Sequence, residues 1–469
     1  MAKEWEDRLR AVAVLGAAGK MGSGIAWVAL KAMAELDARE NGVPGSGKFG
    51  LVLIDADPAA FKRLREYLKG QLLKAAEKGI SDLRAWARDR ADLIENGEII
   101  DAYVDGALSM VRCEGDASAA KGAKLVFEAV FEDLGLKKEL YARLKALCAP
   151  DTVFLTNTSS IPISLLDRSA GLDGRILGFH FYNPPAVQKL VEMIMGKQTR
   201  PEVAALGIDL GKAFGKTVVP SSDIAGFIGN GHFVRELLFA LKKYRELRPV
   251  QGGAEALALL NTATQDFLIR PMGVFQLLDY VGLDVFRMIL KVMREHLPPE
   301  AANADGTAHG LAFADATLEA WLAAGVRGGQ LGSGEQKDGL FKYERNKPVA
   351  VLDADAAEAG RGIAYVSLGV DGRSAKAAAG LGALPTGHAA WSAMAKDKGK
   401  REKLAAYLAA LAGFGSPGAR LGREFLDHSR AVGRTLVRTG VAAAHEDVAK
   451  VLMNGFFHLY GPEDWKADA

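Results

Sequence analysis

AVAVLGAAGKMGSGIAWVALKAMAEL, residues 11–36, is the stretch on which the fold of this chain turns. Ala11–Gly16 is a short apolar run rich in valine that stops at a glycine, as a buried strand does. Gly16, Gly19 and Gly22 follow, and a long helix-forming stretch begins behind them. Glycine lets the backbone turn tightly and approach a pyrophosphate, and a helix N-terminus offers unpaired N–H groups and a positive dipole end. GAAGKMG has seven residues where the usual dinucleotide pattern G-x-G-x-x-G has six, which reads as an insertion of one residue. Gly16, Gly19, Met21 and Gly22 are therefore candidate cofactor contacts, with a plain tight turn as the alternative.

The next apolar run, LVLIDAD (51–57), reads as a second strand ending in acid. A carboxylate at Asp55 can accept hydrogen bonds from both ribose hydroxyls and repels a 2′-phosphate, which favours NAD over NADP. Asp57 before Pro58 is explained as a helix cap. Asp55 lies 33 residues beyond Gly22, against ~20 in the usual pattern; the turn-rich NGVPGSGK (41–48) supplies the excess.

Further strands are expected in KLVFEAVFE (124–132), TVFLTNT (152–158), RILGFHFY (175–182), KLVEMIMG (189–196) and KTVVPSSD (216–223), with helical patterns between several of them. This alternation predicts an α/β Rossmann-type domain with a mostly parallel sheet over residues 1–222. Beyond 223 the strand signals fade, so residues 223–345 are expected to be an all-α C-terminal domain closed by the glycine-rich loop 325–341. NGFFHLYGPEDW (454–465) echoes DFLIRPMGVFQLLD (266–279), so residues 346–469 are expected to be a second helical repeat, with chance similarity as the alternative.

Of the 469 residues, 49% are hydrophobic and 25% charged, which excludes a disordered or collagenous chain. Lys plus Arg number 59 and Asp plus Glu 57, so no basic excess points to nucleic acid. Two cysteines, Cys113 and Cys148, supply neither a disulfide framework nor metal-ligand spacing, so no metal is expected. No apolar run is long enough to span a membrane. MAKEWEDRLR at the start lacks the features of a targeting peptide, and a cytoplasmic location is expected.

His180 sits near the end of an expected strand, and Glu192 lies in the next one. Adjacent strands would bring them within hydrogen-bond reach, and a carboxylate on one imidazole nitrogen fixes the tautomer and makes the other a general base. A satisfied structural histidine is the competing reading. Asn157 and Ser159 follow a strand and belong at the carboxyl edge of the sheet, where α/β proteins bind ligands. Asn183 and Asn230 are polar candidates that also serve as turn or cap formers. Lys62, Arg65 and Lys69 share one helix face, open to solvent or to an anionic ligand.

Taken together, FEAVFEDLGLKKELY (127–141), NTSS (157–160), GFHFYNPP (178–185), KLVEMI (189–194), DIAGFIGN (223–230) and PMGVFQLLDYVGLD (271–284) resemble the 3-hydroxyacyl-CoA dehydrogenases, in the same order and with similar spacing over about residues 10–345. The resemblance implies a Rossmann-type domain followed by a helical domain. It also implies reversible NAD-dependent oxidation of L-3-hydroxyacyl-CoA to 3-oxoacyl-CoA in fatty-acid β-oxidation or butyrate-type metabolism.

By resemblance His180 is the catalytic histidine and Glu192 its partner. Asn230 holds the reacting centre, and Ser159 lies near the substrate oxygen and the nicotinamide. Glu132, Lys137 and Asn157 fall on the cofactor side, Asn183 supports the site, and Lys62 and Lys69 meet the CoA moiety. The tail beyond 345 resembles the second helical repeat of larger β-oxidation proteins, which implies a homodimer or a pseudo-dimeric monomer. The rival readings are another Rossmann-plus-helical dehydrogenase, which would use a lysine in place of the His–Glu pair, and a non-catalytic NAD-binding or assembly subunit.

Overall fold

Eight short strands lie side by side in the first unit of the chain, Met1–Asp223, in the order β3-β2-β1-β4-β5-β6-β7-β8. They are β1 Ala11–Leu15, β2 Gly50–Ile54, β3 Val111–Glu114, β4 Leu125–Glu128, β5 Val153–Thr156, β6 Ile176–Phe181, β7 Leu190–Met195 and β8 Thr217–Ser222. The computed structural model describes residues 3–298, 313–331, 334–369 and 372–466. Every pairing in the sheet is parallel except β6 with β7. The order 3-2-1-4-5-6 is that of a doubly wound dinucleotide-binding sheet, whose ligand crevice opens at the carboxyl ends of the strands beside β1 and β4. Strands β4 and β5 are buried at every position, as strands covered on both faces must be.

Seven of the eight strands lie within runs that the sequence marks as apolar. The eighth, β3, does not: in VRCE only Val111 is buried. An edge strand has one neighbour and half the burial, so its sequence carries little hydrophobic signal. The helix after β1 runs Lys20–Asn41, and the helix after β2, Ala60–Lys78, begins two residues after Pro58. Asp57 still accepts a hydrogen bond from the Ala59 N–H at 3.0 Å. The 41–48 excursion is held by the buried Asp37 carboxylate, which accepts from Gly45 N–H at 2.8 Å and Ser46 N–H at 2.9 Å.

The second unit, Ile224–Ala469, is built on the helices Gly229–Gln251, Gly253–Thr262, Val274–Val281, Leu283–His296, Lys400–Gly413 and Pro417–Arg438. It is not all-α as expected. Strands β9 Phe341–Glu344, β10 Lys347–Leu352 and β11 Tyr365–Ser367 form an antiparallel sheet in the order β11-β10-β9. Arg345 and Asn346, both at positive φ, make the two-residue turn between β9 and β10. The 345/346 boundary falls inside that hairpin, and one hydrophobic core runs from Phe233 to Trp465 across it. Buried Asp279 pins the glycine-rich segment to the helices, accepting from the N–H groups of Leu340 and Phe341 and from the Tyr343 hydroxyl.

The same unit buries His232, whose Nε2 lies 2.8 Å from the Ser429 hydroxyl, and His458. Burial pushes His232 down to about 4 and His458 well below the ordinary value. An unfolded chain holds its histidines near 6.5. Below that pH it takes up protons that the folded unit refuses, so stability falls by roughly 1.4 kcal/mol per pH unit for each such histidine. For His232 the loss runs from about pH 6.5 down to about 4. His232→Gln is expected to flatten the fall in melting temperature over this range, read by circular dichroism. Parallel curves for the two proteins contradict the assignment.

Candidate active site

The glycine loop is built as a cradle. Gly16 has φ +71°, and a Cβ there would lie 2.5 Å from the Ala129 carbonyl oxygen. A Cβ on Gly22 would lie 1.9 Å from the Gly16 carbonyl oxygen, so only glycine lets helix Lys20–Asn41 start so close to β1. Gly19 is the N-cap and has no side chain to cover the first-turn amides, among which Met21 and Gly22 stand. Asp55 closes the loop from the end of β2, its Oδ2 accepting from the Ala18 N–H at 2.9 Å. This set of groups fits a pyrophosphate at the helix N-terminus and a ribose at Asp55.

A second group lies at the carboxyl ends of β4 and β5. Lys137, 1% exposed, reaches from helix Leu134–Leu147 to Glu128 at 2.6 Å and to Glu132 at 3.4 Å. Glu128 also accepts from Thr156 at 2.6 Å, Tyr141 at 3.1 Å and the Val130 N–H at 2.8 Å. Glu132 Oε1 gathers the turn after β5, accepting from the Thr158 hydroxyl, the N–H groups of Ser159 and Ser160, and the Ser160 hydroxyl. Burial alone would raise the Glu132 carboxyl; the Lys137 ammonium and these donors overcome it and hold it below the usual carboxylate range. The cluster thus fixes half-buried Ser159, and Lys137 touches it through its two carboxylates. Glu128 was not singled out from sequence; a glutamate inside the apolar run KLVFEAVFE was its signal.

The third group lies on β6 and β7. Antiparallel pairing sets His180 directly opposite Glu192, with Nδ1 3.3 Å from Oε2. His180 is 8% exposed and Glu192 0%. Tyr182, also unmarked in the sequence, donates its hydroxyl to the same Oε2 at 2.9 Å. Burial, then the neighbouring Glu192 charge, raises the Tyr182 phenol well above its ordinary value, so it stays a donor. Asn157 Oδ1 accepts from the Phe181 N–H at 2.8 Å, tying the end of β5 to the strand that carries His180. The Asn183 carbonyl accepts from the Gln188 side chain at 3.4 Å, within the turn that leads to β7. Asn230 belongs to the second unit, where it stands half-buried in the first turn of helix Gly229–Gln251.

Lys62, Arg65 and Lys69 are exposed on helix Ala60–Lys78, to one side of its buried face of Leu64, Leu68, Leu72 and Ala76. The other flank, with Gln71, Lys74 and Lys78, lines a pocket of about 440 Å³ that also receives Lys31, Lys212 and Lys216. Its one acid, Glu35, is paired with Lys31. Lys216 donates to the carbonyls of Pro185 at 2.6 Å and Gln188 at 2.7 Å, and burial pushes it down to about 8. This lysine pocket carries no mark in the sequence, because its cations come from three separate segments.

A doubly wound sheet with a glycine cradle, an acid closing β2 and a buried imidazole–carboxylate pair defines a dinucleotide-dependent oxidoreductase. Residues 11–224 match the family description "3-hydroxyacyl-CoA dehydrogenase, NAD binding domain", and residues 231–314 match "3-hydroxyacyl-CoA dehydrogenase, C-terminal domain". The mitochondrial hydroxyacyl-coenzyme A dehydrogenase of Homo sapiens is 36% identical over 221 residues, 47% of this chain and 68% of that protein. The 3-hydroxybutyryl-CoA dehydrogenase of Mycobacterium tuberculosis is 32% identical over 291 residues, 62% of this chain and 88% of that protein. The solved 3-hydroxybutyryl-CoA dehydrogenase of Escherichia coli K12 shares the fold at 20% identity, with a TM-score of 0.57 over 97% of this chain and 90% of that one. The chain belongs to the 3-hydroxyacyl-CoA dehydrogenase family of NAD-dependent oxidoreductases. Among the described residues, no helix is long and apolar enough to cross a membrane.

Proposed function

We propose that this enzyme interconverts L-3-hydroxyacyl-CoA and 3-oxoacyl-CoA within β-oxidation or butyrate-type metabolism in the cytoplasm, with His180 and Glu192 as its acid–base pair. The observation that carries the reading is the 3.3 Å contact of His180 Nδ1 with the buried Glu192 carboxylate. With Nδ1–H directed at Glu192, Nε2 takes the proton of the substrate 3-hydroxyl during oxidation and returns it during reduction. Glu192 stabilises the imidazolium formed in between. Bound NAD supplies the hydride acceptor, held by the glycine cradle and Asp55. Ser159, set by Glu132, and Asn230 hydrogen-bond around the reacting oxygen and the thioester, while Asn157 holds the backbone at Phe181, next to His180, and Asn183 supports the turn that follows.

The CoA phosphates call for a cluster of cations. The pocket of Lys74, Lys78, Lys31 and Lys216 supports that role more strongly than Lys62 and Lys69, because it is concave and gathers its charge from several elements. Lys74→Glu with Lys78→Glu is expected to raise KM for acetoacetyl-CoA about tenfold or more with little change in kcat, whereas reversal at Lys62 and Lys69 has the smaller effect. An unchanged KM in the first variant moves the CoA site elsewhere.

Residues 346–469 are read as part of a second helical repeat, in a pseudo-dimeric monomer or a homodimer. Ile269 and Phe457 both have positive φ, each four residues before a glycine, Gly273 or Gly461. Each glycine N–H is then capped from three residues on, by Gln276 at 3.3 Å and by Asp464 at 2.7 Å.

The activity is tested by following NADH oxidation with acetoacetyl-CoA beside simple keto acids, then with 3-oxoacyl-CoAs of increasing chain length. Turnover with acetoacetyl-CoA is the expected result. Turnover with keto acids alone, or NADH binding without turnover, rejects the proposal.

A further inference from the structure

We propose that Tyr182 is a positioning residue that divides the charge of Glu192 and thereby sets the basicity of His180; the proposal rests on the His180–Glu192 reading above. Residues 180 and 182 alternate onto the same face of the sheet, and their ring centroids lie 4.7 Å apart. The Tyr182 hydroxyl and His180 Nδ1 meet one oxygen, Glu192 Oε2, at 2.9 and 3.3 Å.

A carboxylate oxygen that accepts from a phenol has less electron density to offer the imidazolium beside it. The phenol also fixes the rotation of the carboxylate, so that Oε2 stays toward the ring. Strands β5, β7 and β8 bring no other ionisable side chain, since their sequences are VFLT, LVEMIM and TVVPSS. Elsewhere in this unit, Glu128 at the end of β4 and Glu132 beyond it are both paired with Lys137. Asp223 and Asp167 stand at the two ends of helix Ile163–Ala170 and are taken up by the N–H groups of Ile163, Ser164 and Gly174. Glu192 is the carboxylate that meets His180 in the first unit, and Tyr182 is the hydroxyl donor to that same carboxylate oxygen.

Oxidation requires neutral His180, so kcat/KM for 3-hydroxybutyryl-CoA falls on the acidic side of its pH profile. Tyr182→Phe removes a donor from Glu192, strengthens its hold on the imidazolium, and is expected to move the acidic limb to higher pH by roughly half a unit to one unit. Difluorotyrosine at 182 keeps the shape, donates more strongly, and is expected to move the limb the opposite way. A purely structural role gives no such opposed pair of shifts. Coincident limbs, or two shifts of the same sign, overturn the proposal, and the nearly isosteric fluorinated variant decides the matter if Tyr182→Phe folds poorly. His180→Asn separates the two levels. If it loses turnover while the limbs coincide, only the role of Tyr182 falls; if it keeps turnover, the His180 reading falls and the role of Tyr182 with it.

Discussion

Replacing His180 with alanine is expected to lower turnover ~10²–10⁴-fold while NAD still binds, because a positioned acid–base group supplies a factor of that size. The two effects separate because they arise at different strands. The cofactor cradle is made by the turn after β1 and by Asp55 at the end of β2, whereas His180 stands on β6. Alanine also leaves Glu192 buried without the imidazole, its hydroxyl donor Tyr182 remaining. Some loss of stability therefore accompanies the loss of rate, and the melting temperature is recorded with it. The measurement is kcat with acetoacetyl-CoA and NADH, beside the Kd for NADH from its fluorescence. A folded His180→Ala enzyme within tenfold of wild-type turnover removes this residue from the chemistry.

Lys137→Met is expected to destabilise the first unit by about 3–5 kcal/mol, the cost of breaking a buried ion pair by removing one partner. Among the described residues Lys137 is the only cation paired with Glu128 and Glu132, and both its own burial and that of Glu128 are nearly complete. Burial by itself would push the ammonium down; the two carboxylates reverse that and raise it. Without it, Glu128 keeps three hydrogen-bond donors but no counter-charge. A domain of this size loses ~2–4 °C of melting temperature per kcal/mol, so a drop on the order of 10 °C is expected. Adding Glu128→Gln restores part of it, because the uncompensated charge goes too. Turnover falls as well, since the Glu132 carboxylate that orders the Ser159 turn loses its cation. A single variant that melts within about 2 °C of the parent shows that the pair contributes little.

The contrast between these two residues shows what a sequence displays. His180 and Glu192 stand out as polar residues in apolar strands, and their spacing of twelve suits neighbours in a sheet. Their direct opposition depends on β7 running antiparallel in an otherwise parallel sheet, which LVEMIM does not announce. Lys137 looks like any helix lysine in LGLKKELY; that it is almost wholly buried follows from how its helix lies on β4 and β5. Tyr182 reads as the apolar end of a strand, and its bond to Glu192 exists only in the β6–β7 register. The hairpin Phe341–Leu352 was hidden for a different reason. Its strands are short and half exposed, and its turn uses Arg345 and Asn346 rather than the glycine that normally marks such a turn.

The sequence by itself determined the glycine turn, the places of seven strands along the chain and the family, because these depend on local backbone demands: a glycine where no Cβ fits, an acid at a strand end, apolar runs of strand length. Only the tertiary structure decided which carboxylate meets which cation, which face of a helix gathers lysines, and where the second unit forms a sheet. Those outcomes are set by burial and register between segments far apart in the chain, and the energy of a charge depends on the company that burial gives it.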